Sequence, residues 1–279
     1  MSFEKINDKS YVLAENGGRM RKIVFTMIFL SGLLVDAAQV FCDFYHDKHV
    51  QGVASSGTAL YWVFTDVIVK SDRAGKILKK VPVHRMPGRA HHGGDPCFAD
   101  NKLYIPYSGS GFNRALGNRK SHNYILQYSA ELEFEKSFPI PELEYGAGCI
   151  AFADGHFFVA GGRPKNIPGN SVYEYDRDFK LVKKHEIPFD SAKGIQSLTT
   201  DGKCWYFGVY GKSPATFVTD MKFNLLGKWH ISTAVGLLHE PDGRKIKIRS
   251  VKRKNTAPEF GGALLPLSEK HTKVHKLSQ

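Results

Sequence analysis

Cysteine is scarce in this chain. Four are present, Cys42, Cys97, Cys149 and Cys204, and no two stand in a Cys-x-x-Cys pair. That spacing excludes zinc ribbons and thioredoxin-like redox centres. Four cysteines allow three disulfide pairings, and buried free thiols fit the same sequence. No apolar run reaches the roughly 20 residues that a membrane-spanning helix needs. No Gly-x-Ser-x-Gly elbow is present, so serine-hydrolase chemistry has no sequence support. The stretch "AGGRPKN" (160–166) holds glycines and Arg163 but leads from a strand into a loop. With no helix to follow, it is neither a phosphate-binding loop nor a dinucleotide fingerprint. After the N-terminal region no long segment repeats its apolar residues at the 3.6-residue helical period, which excludes a helical bundle.

Negative charge is also short: 27 acidic residues face 39 basic ones, for a formal net charge of +12. The excess is concentrated at one end. From Arg244 onward there are ten Lys and Arg against Glu259 and Glu269, so that segment alone carries +8. A basic segment of this kind suits an anionic surface or is simply solvated. No nucleic-acid partner is expected.

Residues 20–39, "MRKIVFTMIFLSGLLVDAAQ", have the three parts of a secretory signal: Arg21 and Lys22, an apolar run from Ile23 to Val35, and small residues at a cleavage position near Ala37. The expected layout is a signal over 1–37, with Met20 as the possible true start, and one mature domain over 38–279. An uncleaved anchor is the alternative. The expectation is therefore a secreted or periplasmic monomer with no stable membrane span after cleavage.

What fills the mature region is a repeat. Four segments share one plan (52–83, 95–140, 146–187 and 194–231). Each opens on small residues and a short apolar strand. A polar turn follows: Ser56-Gly57, Asp100-Asn101, Asp154-Gly155 and Asp201-Gly202. Next come a strand holding Leu60-Tyr61, Leu103-Tyr104, Phe157-Phe158 or Trp205-Tyr206, and a third strand ending near Asp72, Ser129, Asp176 or Asp220. A fourth, amphipathic strand closes each unit. The aromatic landmarks lie 43, 54 and 48 residues apart, and a fifth copy starts near Val235. Four strands per repeat of this length is the pattern of propeller blades. The fold class expected is all-β, a five-bladed β-propeller of four-stranded antiparallel blades. The segment after Gln39 is expected to add a strand to the last blade and close the ring.

The stretches "HHGGDPCFADNKLYIP", "GAGCIAFADGHFFVAGG", "VYEYDRDFKLVKKHEI" and "GIQSLTTDGKCWYFGVYG" resemble a group of secreted bacterial five-bladed propellers without assigned activity, loosely related to gluconolactonase-type and strictosidine-synthase-like propellers. The resemblance covers roughly residues 51–240. Gluconolactonase-type relatives imply an axial divalent metal and lactone hydrolysis, although their full acidic and amide ligand set has no counterpart here.

In a propeller the turn leading into each blade's first strand sits at the mouth of the central channel. Here those turns hold Gln51-Gly52, His91-His92-Gly93-Gly94-Asp95, Tyr145-Gly146, Lys193-Gly194-Ile195-Gln196 and Val235-Gly236. Imidazole and carboxylate groups suit a divalent ion or proton transfer. His91, His92 and Asp95 are thus the candidate ligands of one divalent metal, with His92 and Asp95 also the candidate catalytic pair. Gln51, Tyr145, Lys193 and Gln196 are the candidate contacts for a small-molecule or glycan ligand. The readings left open are a metal-assisted hydrolase or lactonase acting on a small polar substrate, and a non-catalytic propeller binding glycan or peptide. Asp95 serving only as a turn residue is the plainest alternative.

Overall fold

The computed structural model describes residues 2–7, 10–14, 40–42, 44, 46–87, 92–109, 122–143, 145–163, 167–210, 215–240, 242–252 and 260–276. The chain divides into two units, Met1–Ala38 and Gln39–Gln279. In the first, Ser2–Asn7 and Ser10–Ala14 form an antiparallel hairpin in which Ser2 faces Ala14. The apolar run and cleavage position expected over 20–37 lie outside the described residues. Among those described, no helix is long and apolar enough to cross a membrane.

The second unit is a five-bladed propeller of four-stranded antiparallel blades. Blade 1 runs Val50–Ser55, Ala59–Phe64, Val67–Asp72, Ile77–Pro82. In blade 2 the first strand is split into His92–Gly93 and Cys97–Ala99, followed by Lys102–Ser108, Asn123–Ser129 and Phe134–Pro139. Blade 3 is Ala147–Ala153, His156–Gly161, Asn170–Tyr175, Leu181–Ile187, and blade 4 is Ile195–Thr200, Cys204–Val209, Ala215–Asp220, Leu225–Trp229. Blade 5 takes Leu237–His239, Lys245–Lys252 and Phe260–Pro266, and its outermost strand is Val40–Phe41. Val40 pairs with Leu264 and Phe41 with Ala263, which closes the ring with the start of this unit, as the sequence pattern suggested.

The turns explain why these residues make hairpins. Asp100 (φ 49°) and Asn101 (φ 58°), and Asp154 (φ 48°) and Gly155 (φ 80°), all lie in the left-handed region that two-residue hairpins require. At the opposite pairing a single motif recurs. Asp72, Asp176 and Asp220 each accept backbone N–H bonds from two and four residues on, and Ser129 does the same with its hydroxyl. The residue three after each cap adopts positive φ. It is Gly75 in blade 1, but Leu132 (60°), Phe179 (57°) and Phe223 (67°) elsewhere. Large side chains accept that backbone because all three are buried between blades.

Each core cluster lies between neighbouring blades. Val63, Leu103, Ile105 and Tyr107 fill the space between blades 1 and 2, while Phe158, Trp205, Phe207 and Phe223 fill that between blades 3 and 4. The closing seam between blades 5 and 1 holds Cys42, Val50, Trp62, Ile248 and Leu264. On the same seam the buried Glu240 carboxylate takes a bond of 2.9 Å from Arg73, whose other terminal nitrogen donates to Ser55. All four cysteines are free thiols. The basic C-terminal segment is partly anchored: His275 exchanges two backbone bonds with Lys228 on the outer strand of blade 4.

Candidate functional site

A bulge recurs where the innermost strands begin. In blade 1 Val50 faces Phe64 and Gly52 faces Val63, which leaves Gln51 as the extra residue. The same shift leaves Gly148 extra in blade 3 and Gln196 in blade 4. In blade 2 the splitting of the strand around Gly94, Asp95 and Pro96 does the equivalent work. Bulges re-aim side chains and end pairing early. Here they turn Gln51, Asp95 and Gln196 out of the regular pleat near the axis.

Asp95 is the residue on which the ring converges. Its N–H donates to Gly148 O (2.8 Å) and its carbonyl accepts from Ile150 N–H (3.1 Å), both in blade 3. Its carboxyl accepts backbone N–H bonds from Val53 in blade 1 and Leu198 in blade 4. A Cβ placed on Gly236 of blade 5 would lie 3.1 Å from its Oδ1. All five blades therefore meet around this one residue, which is only 4 % exposed. Burial pushes its pKa well above the ordinary carboxylate range, against the opposing pull of the two N–H donors. The sequence pattern placed this carboxyl at an open mouth. The structure instead buries it, because the glycines beside it let the backbones close over it.

Above Asp95, on the side of blades 1 and 2, neutral polar groups gather. The Gln51 carboxamide donates to Thr65 Oγ1 (3.2 Å) and lies 3.3 Å from His49 Nδ1. His92 pairs across the strand with Ser108. Burial, and then the neighbouring His49, push the His92 imidazole pKa down, which disfavours its charged form. The Ser108 hydroxyl is buried with no hydrogen-bond partner among the described residues, and a Cβ on Gly146 would come within 2.8 Å of it. His91 lies outside the described residues.

The other candidates stand on the side of blades 3 and 4. Gln196 folds back onto its own turn and donates to Lys193 O (3.1 Å). The Lys193 ammonium sits 5.7 Å from the Tyr210 ring centroid, and the Lys193 carbonyl accepts from Arg163 N–H. Tyr145 lines a small cleft with Gly161, Gly162, Arg163, Ser171, Tyr173 and Lys184. The structure thus places His49 against Gln51, close enough to His92 to influence its charge, and groups Tyr145, Lys193 and Gln196 near Arg163.

Among the described residues no group of three or more His, Cys, Asp or Glu side chains is arranged to hold a metal. The donor chemistry agrees. The Asp95 carboxyl is already engaged by two N–H groups, and the partly buried Cys97 and the buried Cys149 near it have their thiol pKa values pushed up by burial and by Asp95. A divalent ion favours ionised, unengaged ligands. Of the expected ligands His91 lies outside the described residues, and His92 and Asp95 have no third ligand grouped with them among those described.

His49, Thr65, Ser108 and Arg163 were not singled out as ligand contacts in the sequence pattern. His49 stands two residues before Gln51, the one local signal that could have raised it. Ser108 reads as the polar end of a strand, and only the fold sets it against Gly146.

No protein-family profile and no curated protein matches the chain. Among solved structures, it is similar to a xylan β-1,4-xylosidase from Bacillus halodurans, with a TM-score of 0.56 and 14% identity over 77% of this chain and 52% of that one. It is also similar to the Dos1 propeller (TM-score 0.43, 15% identity, 76% of this chain and 58% of that one). A third similar structure is a protein of unknown function from Bacteroides caccae (0.46, 11%, 79% and 82%). The chain thus spans little more than half the length of the xylosidase and of the Dos1 propeller chain, and what it shares with the xylosidase is the fold.

Proposed function

We propose that this chain is an exported, monomeric, non-catalytic propeller that binds a small neutral polar ligand, a sugar or short glycan, at the mouth above Asp95. The observation carrying this is the Ser108 hydroxyl, buried and without a hydrogen-bond partner among the described residues, across the strand from His92. Leaving a buried hydroxyl unpaired costs about 1–3 kcal/mol, so the site favours a ligand that supplies the bond. Gln51 and His92 add neutral donors and acceptors of the kind that suit sugar hydroxyls. Glycoside hydrolysis by the usual route needs two working carboxyl groups flanking the bond. Among the described residues the carboxyl at this axis is that of Asp95, which is buried and engaged. A metal-assisted hydrolase or lactonase of the gluconolactonase kind would require Asp95 to give up Val53 and Leu198, and nothing beside it offers replacement donors.

The test is calorimetric titration of the protein with neutral oligosaccharides, xylo-oligosaccharides among them, in parallel with assays of lactone and glycoside hydrolysis. Saturable binding lost on Ser108→Ala or His92→Ala, without turnover, supports the reading. Turnover that depends on added zinc or manganese and vanishes with Asp95→Ala would replace it with the hydrolase.

A further inference from the structure

From a separate observation, we infer that the cleft on blade 3 is a subsite for a carboxylate. Arg163 is the centre of the argument. Its Nη1 donates to Ser171 Oγ (3.3 Å), and Ser171 in turn donates to the Glu186 carboxylate (3.1 Å). Its Nε is shielded from solvent and has no acceptor among the described residues. A guanidinium N–H without an acceptor is an expensive group to keep out of water. Its planar fork meets carboxylate oxygens two at a time, through parallel bonds.

The walls agree with that occupant. Lys184 brings a second cation, Ser171 and Tyr145 bring hydroxyls, and Gly161 and Gly162 leave the backbone uncovered. Glu186 is bound into this group, held by Lys184 at 3.1 Å. The subsite takes a carboxylate, either free or as the acidic substituent of a larger ligand.

This inference does not depend on the mouth binding a neutral sugar, and one set of titrations separates the two. Calorimetry with glucuronate, acetate and glucose should show saturable binding of glucuronate. Arg163→Gln should weaken it at least tenfold, Lys184→Gln should weaken it several-fold, and Lys203→Gln, at a distant turn, should leave it unchanged. Acetate distinguishes the sources: binding comparable to glucuronate identifies a free carboxylate, and much weaker binding a sugar-borne one. Glucose affinity, if present, should respond to Ser108→Ala and not to Arg163→Gln. The half-exposed Lys184 can be replaced without disturbing the core, so it serves if Arg163→Gln fails to fold. Neither carboxylate giving a saturable isotherm, or glucuronate affinity unchanged in Lys184→Gln or in folded Arg163→Gln, overturns the subsite.

Discussion

A Cβ built on Gly52 would lie 2.0 Å from Oδ1 of Asp95 and 2.5 Å from its Cα. The first blade can thus reach the axis only because residue 52 has no side chain. Gly52→Ala forces Asp95 or the inner strand of blade 1 to move, and either shift breaks the Val53 N–H bond to the carboxyl. The expected loss is on the order of 3 kcal/mol, the upper end of what overpacking usually costs. Gly57 is the comparison. Its φ is +87° and a Cβ there meets nothing within 4 Å, so Gly57→Ala should cost only the backbone term, about 1 kcal/mol. Urea unfolding of both variants measures the difference, and equal losses would contradict the axial contact.

The ring should be weakest along the seam it closes last. Arg73 and Glu240 join blade 1 to blade 5 at 2.9 Å, with Glu240 buried and Arg73 about one-third exposed. Partial exposure of the arginine lowers the value of the pair below that of a sealed one. Glu240→Ala should still cost about 2 kcal/mol, since a charged hydrogen bond is lost and Ser55 alone holds Arg73. Hydrogen exchange should accelerate first in the strands of blades 5 and 1. Acceleration spread evenly over all blades would mean the seam has no special weakness.

The turn caps predict a smaller effect that repeats from blade to blade. Asp176 accepts N–H bonds from Asp178 and Lys180, each 2.9 Å. Asp176→Ala should cost about 1 kcal/mol, the usual value of a side-chain cap. Phe179→Gly tests the other half of the motif. Glycine relieves the positive φ, but Phe179 packs on Phe157 and Phe138. The lost packing, about 3 kcal/mol or more, should outweigh the relief. A stabilised Phe179→Gly variant would show that backbone strain dominates at these corners.

These caps also show what can be read from the chain alone. Aspartate before a tight turn, Asp-Gly and Asp-Asn pairs, and aromatic pairs at steady intervals are local signals, and each carries its own backbone consequence. The closing strand was legible too, because Val40 and Phe41 form the short apolar piece available to complete the last blade. The position of Asp95 was not. "HHGGDP" has the composition of a mouth turn, and its burial depends on Gly52, Gly148 and Gly236, which lie far away in sequence and meet only when the ring closes. Arg163 was hidden for the same reason. Its neighbour Lys184 lies two strands away, and only the sheet brings them to one cleft.

Two aspartates should give the protein opposite responses to pH. Asp201 is buried enough to raise its pKa, but the Tyr206 hydroxyl (2.6 Å), the N–H groups of Cys204 and Lys203, and Lys245 outweigh that and hold it at about 2. Its folded value lies below the unfolded value of 3.8, so its stabilisation is full above pH 3.8 and is lost as pH falls toward 2. Asp95 has the reverse sign. Its folded pKa lies above 3.8, so its contribution is full below that value and is lost as pH rises through the raised one. Tyr206→Phe should move the Asp201 carboxyl titration, followed by carbon-13 NMR, upward toward 3.8 and make acid unfolding begin at higher pH. Asp95→Asn removes the second dependence, so the stability advantage of the parent over this variant should shrink as pH rises from 4 to 8. A difference that stays constant across that range would show that the Asp95 carboxyl ionises in the folded ring as easily as in the unfolded chain, and the burial imposed by five converging blades would then not control its charge.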